Sequence, residues 1–111
     1  ALELADKVAV LQHGEIVQFD TPERLFYYPV NAYVADLLGP NSFFQNRFIR
    51  PEQISFEGSE FTGTVVKTSF SLRGNMINIA TDTTEFLAYD YHRKFKVDDV
   101  ISFSIDPIPL R

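Results

Sequence analysis

The chain of 111 residues contains no cysteine, no tryptophan and a single methionine. Without cysteine no disulfide framework can form, and thiolate-ligated zinc and iron–sulfur centres are excluded. No apolar run reaches the length of a membrane-spanning helix and no signal peptide is visible, so a membrane link is expected to come through a partner. Positive charge is also scarce: 10 Lys and Arg stand against 15 Asp and Glu, a net charge of −5. An acidic chain repels phosphate backbones, which argues against nucleic acid as a partner. No internal repeat and no low-complexity segment is present. What the chain does have is apolar mass. Hydrophobic residues make up 45%, enough for a core, and 11 Phe with 5 Tyr favour an aromatic-rich β structure.

Residues 1–6 read as the end of a helix. Val8-Ala9-Val10-Leu11 is a short buried-strand run, and His13-Gly14 sits at the hairpin position before Glu15–Phe19. Thr21 caps a helix that opens on Pro22 and Glu23 and ends near Tyr28, because Pro29 cannot continue it. Asn31 caps a second helix over 32–38, stopped by Gly39 and Pro40. Beyond Asn41 the pattern becomes short β runs: Ser42–Phe44, Arg47–Ile49, Gly63–Phe70, Asn75–Ala80, Glu85–Tyr91 and Val100–Ile105. Their spacing predicts one closed or nearly closed small barrel over residues 42–105, of which the OB type is an example. The expected inward set is Phe48, Ile49, Val65, Ile77, Ile79, Leu87, Tyr89, Ile101, Phe103 and Ile105.

Several short motifs occur in a fixed order. They are Ala5-Asp6-Lys7-Val8-Ala9-Val10-Leu11, His13-Gly14-Glu15-Ile16, Thr21-Pro22-Glu23-Arg24-Leu25-Phe26 and Ala32-Tyr33-Val34-Ala35-Asp36-Leu37-Leu38-Gly39. In that order and spacing they resemble the last stretch of the ATPase domain of ABC-type importers. Phe48-Ile49-Arg50-Pro51-Glu52-Gln53-Ile54 resembles the V-R-P-E-x-I signature of the C-terminal extension of these ATPases. Phe61-Thr62-Gly63-Thr64-Val65-Val66 is similar to the strand that follows it, and Val97-Asp98-Asp99-Val100-Ile101 to the late G-D-x-V strand. The family usually has Gly where Asp20 stands, and Gly-Asp where Asp98-Asp99 stands. The extension has room for one barrel, not the two of maltose-type ATPases.

The resemblance implies a mainly β fold: a short α/β tail of the ATPase domain over 1–39, then a TOBE-type, OB-like barrel over 40–111. It implies a regulatory and dimer-stabilising part of the ATP-binding subunit of a bacterial importer for iron, polyamine, sugar or oxyanion. The start at Ala1 suits a piece of a longer chain. No G-x-x-x-x-G-K-[ST] loop is present to cradle phosphates, so ATP and Mg belong to the parent chain and this part is not expected to be an enzyme. The implied partners are a second copy, through the C-terminal domains, and membrane-spanning permease subunits, with no nucleic acid. The implied place is the cytoplasmic face of the inner membrane. Arg50, Pro51, Glu52, Phe43 and Phe44 are the domain-junction and interface candidates; no catalytic, cofactor or metal residue is assigned. His13 and His92 lack ligand-spaced partners. Tyr91-His92-Arg93-Lys94-Phe95-Lys96 is the one basic cluster, expected as a solvated loop with Tyr91 and Phe95 packed inward. It also supports the competing reading, a stand-alone OB-type module for an oxyanion or oligonucleotide.

Overall fold

The computed structural model describes residues 6–108. It divides into two units, residues 6–40 and Asn41–Ile108. With 48% strand and 16% helix the fold is mainly β. Apart from Asp6, the expected helix end over residues 1–6 lies outside the described residues.

In the first unit, β1 (Val8–Gln12) and β2 (Glu15–Asp20) form an antiparallel hairpin. Its turn places His13 at φ 54° and Gly14 at φ 80°. Two successive left-handed residues match the twist of the strands they join. A bulge opposite Val10 keeps Val17 beside Val10 on the inner side. Helix α1 (Pro22–Tyr27) starts where Thr21 Oγ1 accepts from Arg24 N at 3.4 Å. Helix α2 (Ala32–Leu38) starts where Asn31 Oδ1 accepts from Val34 N at 3.0 Å. These side-chain oxygens satisfy amides that have no partner within the helix. Gln18 ties β2 to the link between the helices: it donates to Tyr28 O at 3.1 Å and accepts from Val30 N at 3.0 Å. Val10, Leu25 and Val34 form the small core, flanked by Val8 and Val17.

The second unit opens on a hairpin of β3 (Ser42–Phe44) and β4 (Arg47–Ile49), turned by Gln45 and Asn46, both left-handed. A 3₁₀ turn over Pro51–Gln53 leads to the two-residue β5 (Ile54–Ser55). Then come β6 (Phe61–Ser71), β7 (Gly74–Ala80), β8 (Glu85–Asp90) and β9 (Val100–Ile105). They form one antiparallel sheet in the order β5-β9-β6-β7-β8. Short β5 was not expected; two residues are too few to show a period. The sheet is compatible with the expected OB-like domain but is not a closed barrel, since β5 and β8 do not pair. The outer edge of β8 meets β3 and the 3₁₀ turn in place of another sheet strand, and Leu87 N donates to the Ser42 hydroxyl at 2.8 Å. A side chain there satisfies an edge amide that barrel closure would have paired.

The core of this unit is Val65, Ile77, Ile79, Phe86, Ala88, Ile101 and Phe103, with Ile49 and Ile54. Phe103 stacks on Phe61 at 5.5 Å and meets Phe86 edge-on at 5.4 Å. Of the expected inward set, Ile49, Val65, Ile77, Ile79, Ile101 and Phe103 are buried, while Phe48 and Ile105 are half-buried. The phase of β8 is the opposite of that expected: Phe86, Ala88 and Asp90 are buried, and Leu87 and Tyr89 lie half-buried on the other face. Residues 86–89 are apolar or aromatic on both faces, so alternation alone could not set the phase. Pairing did, because Ile79↔Phe86 and Ile77↔Ala88 must share a face. The hairpin β6–β7 turns at Leu72-Arg73, and Gly74 follows at φ 109°.

Phe103→Ala should destabilise this unit by about 3–5 kcal/mol in urea melts, since it removes a fully buried ring from the stack. Leu72→Ala, at an exposed turn, should stay within about 0.5 kcal/mol of the parent.

Candidate functional site

The R-P-E segment is a turn that the fold uses twice. Arg50 N donates to Gln53 Oε1 at 2.9 Å, and Gln53 N returns to Arg50 O at 2.9 Å. Gln53 also reaches the far end of the unit: its Nε2 donates to Asp106 O at 3.2 Å, and Asp106 N donates to Gln53 O at 2.7 Å. The turn therefore fastens the segment before β5 to the segment after β9. Gln53 was absent from the expected candidates; its sequence signal was its place two residues after Pro51 in the motif itself.

The five candidates do not share one surface. Arg50 is 0% exposed, and Pro51 is buried beside it in the turn. Proline fits here because the first position of such a turn needs no N–H. Glu52 points the other way, into solvent, and pairs with Arg73 of the β6–β7 turn at 3.4 Å. Phe43 and Phe44 are neighbours on β3, so their side chains leave on opposite sides. Phe43 is exposed and tilts against Phe48 at 4.9 Å. Phe44 packs inward on Phe86 at 5.1 Å and Phe61 at 5.5 Å.

The basic cluster divides as well. Phe95 turns inward onto Phe56 at 4.9 Å, and its N–H donates to the buried Asp90 carboxylate at 2.8 Å. Tyr91 was expected inward and is exposed. It lies two residues beyond Tyr89, on the same outer side, and the rings stand 5.8 Å apart. Arg93, left-handed at φ 53°, lays its guanidinium over Phe70 at 4.6 Å. The same group donates to Asn75 Oδ1 at 2.8 Å and to Ser71 O at 2.9 Å. Arg73 lies over Tyr89 at 5.5 Å. Burial first, then the nearby Glu52 carboxylate, hold the Tyr91 phenol above its ordinary pKa, against an opposing pull from Arg73.

His13 and His92 are both exposed, one in the first hairpin turn and one in the loop after β8. Among the described residues, no group of three His, Cys, Asp or Glu is placed to hold a metal ion. The described arrangement offers packing surfaces and anchored cations.

Comparison with known proteins gives the likeness a narrower form. No protein-family model matches the chain. Over 58 residues, 52% of its length, it is 41% identical to the spermidine/putrescine import ATP-binding protein PotA of Mesomycoplasma hyopneumoniae strain J. It is 38% identical over 61 residues, 55% of its length, to PotA of Mycoplasmopsis synoviae strain 53. Over 39 residues, 35% of its length, it is 51% identical to PotA of Chromobacterium violaceum. The chain is similar to importer ATP-binding proteins. The matched stretch spans 13% of each of the first two relatives and 11% of the third. The resemblance to ABC importer subunits read from the ordered motifs is thus met by relatives of that kind, and among them by those named for spermidine and putrescine.

The Tyr91 environment can be read by ultraviolet titration, taking the difference against Tyr91→Phe to remove the other tyrosines. Glu52→Gln should lower the Tyr91 midpoint, and Arg73→Gln should raise it. Because the folded phenol ionises later than the unfolded one, its contribution to stability should decline as pH rises through the unfolded value near ~10.

Proposed function

We propose that this chain is a C-terminal part of the ATP-binding subunit of an ABC-type importer, and of a polyamine importer in particular. Residues 1–39 are then the tail of the ATPase domain and residues 40–111 a TOBE-type, OB-like domain. ATP and Mg bind the parent, which performs the hydrolysis; this part supplies no catalytic group. The OB-like domain keeps two subunits together while their ATPase domains open and close. A tethered partner re-engages at a high effective concentration, which needs no new contact at the ATPase interface. Permease subunits are met through the parent ATPase, on the cytoplasmic face of the membrane.

One observation carries this reading beyond the ordered motifs and the relatives. The β1–β2 hairpin is apolar on both faces, but the described part of its unit covers only one. Val8, Val10 and Val17 pack on Leu25 and Val34. Leu11, Ile16 and Phe19 are 56%, 62% and 59% exposed. An isolated two-stranded hairpin is marginal in water. Strands apolar on both faces belong to sheets covered on both sides, as in α/β domains. A larger ATPase domain supplies such a cover.

The test compares two contexts. In the full-length protein, Leu11→Asp with Ile16→Asp should abolish most ATPase activity or soluble yield. In the 111-residue chain the same pair should cost only about 1–2 kcal/mol, from the two carboxylates placed opposite each other at the Leu11↔Ile16 pair, because both side chains are exposed. Full activity in the double variant would overturn the reading. Dimerisation is checked by sedimentation of the full-length protein, where Phe43→Asp should shift the population toward monomer.

A second reading, an OB-type module for an oxyanion or oligonucleotide, draws support from the anchored Arg73 and Arg93 with their aromatic partners. Calorimetry with molybdate, sulfate and short oligonucleotides separates it from the first.

A further inference from the structure

The acidic residues of the chain are unevenly placed. Residues 61–81 contain no Asp or Glu in a chain that has 15 of them, and neither do residues 91–97. The same two segments hold Lys67, Arg73, Arg93, Lys94 and Lys96, which is five of the ten Lys and Arg. The fold brings the segments together at the end of the β6–β7 hairpin, where Arg93 lies on Phe70 and bonds to Ser71 and Asn75. This end also carries the most exposed apolar side chains among the described residues, Leu72 at 94% and Phe70 at 76%.

Their order along the hairpin is specific. Leu72 is in the turn itself, with Arg73 beside it. Phe70 is two residues back, and Arg93 covers one of its faces. Tyr89 and Tyr91 lie behind, with Arg73 over Tyr89. An apolar point beside guanidinium groups and tyrosines is the set of side chains that a bilayer interface accepts: the apolar residues at the hydrocarbon edge, the tyrosine rings at the boundary and the cations reaching the headgroups. A convex apolar point suits a fluid surface that closes around it. Two carboxylates lie at this end: Glu52 is held by Arg73, and Asp90 is buried and accepts from Phe95 N. The remainder of this unit is acidic, so an anionic surface attracts this end and repels the rest of the unit, which orients it.

We propose that the end of the β6–β7 hairpin docks on an anionic lipid bilayer. Leu72 and Phe70 enter the interface, and Arg73 and Arg93 lie among the headgroups. Such a contact is direct, in addition to any link through permease subunits, and does not depend on the importer reading.

The experiment is co-sedimentation of the 111-residue chain with two kinds of vesicle, phosphatidylcholine alone and phosphatidylcholine with about one-third phosphatidylglycerol. Partitioning into the anionic vesicles should be about tenfold stronger and should fall as salt screens the attraction. Leu72→Gln, which leaves the charge unchanged, should weaken it about tenfold. Arg73→Gln should weaken it about fivefold. Both positions are exposed, so the fold is retained. Leu11→Gln, on the exposed face of the other unit, should leave binding unchanged. Three results overturn the proposal: no pelleting with anionic vesicles, as expected if the tip instead enters a pocket of a protein; equal pelleting of Leu72→Gln and the parent chain; or loss of binding with Leu11→Gln in place of Leu72→Gln.

Discussion

The second unit depends on the contact between Phe103 and its neighbouring rings. Phe103 stacks on Phe61 and meets the edge of Phe86, and Phe44 closes the group against Phe61 and Phe86. The four rings come from β9, β6, β8 and β3, so one cluster joins segments far apart in the chain. Offset and edge-to-face geometries of this kind add to the burial term and define the angle at which strands cross. With Phe44 held inward, Ser42 is carried to the free edge of β8, where its hydroxyl accepts from Leu87 N. The open sheet and its satisfied edge follow from the same packing.

A second fastening acts at the ends of the unit. Gln53 and Asp106 exchange hydrogen bonds from side chain and backbone, so the segment before the sheet and the segment after it meet. The R-P-E-Q motif is in this sense a structural clasp, with Arg50 and Pro51 buried and Glu52 left outside to hold Arg73. That division separates two surfaces. Phe43 and Phe48 form one exposed aromatic contact on the β3–β4 hairpin, and the basic–aromatic end of β6–β7 forms another.

Both proposals about this chain rest on apolar side chains that the described structure leaves uncovered, and they differ in what surrounds those side chains. Leu11, Ile16 and Phe19 form a face on strands that already carry apolar residues on the other side, which suits burial inside a larger domain. Leu72 and Phe70 form a point ringed by cations, which suits a wet, charged boundary. Exposure alone does not separate the two; the polar neighbours do.

Much of the first unit was legible because its signals are local. The His13-Gly14 turn, the Thr21 and Asn31 caps and the stops at Pro29 and Gly39 each act within four or five residues, and the described structure has them where the chain writes them. In the second unit the strand runs were legible, since β propensity and turn residues are local too, and Ile77, Ile79, Ile101 and Phe103 face inward as their alternation requires. The ordered motifs also sufficed to point to importer ATP-binding proteins. The phase of β8, the two-residue β5, the open edge closed by Ser42, the outward Tyr91 and the division of the R-P-E candidates were decided only by tertiary structure. Four depend on a partner in another strand or segment: Ile77 and Ile79 for Phe86 and Ala88, β9 for β5, Leu87 for Ser42, Asp106 for Gln53; Tyr91 follows the outward face of Tyr89. A run that is apolar on both faces carries no information about which face will be inside until the strand beside it is in place.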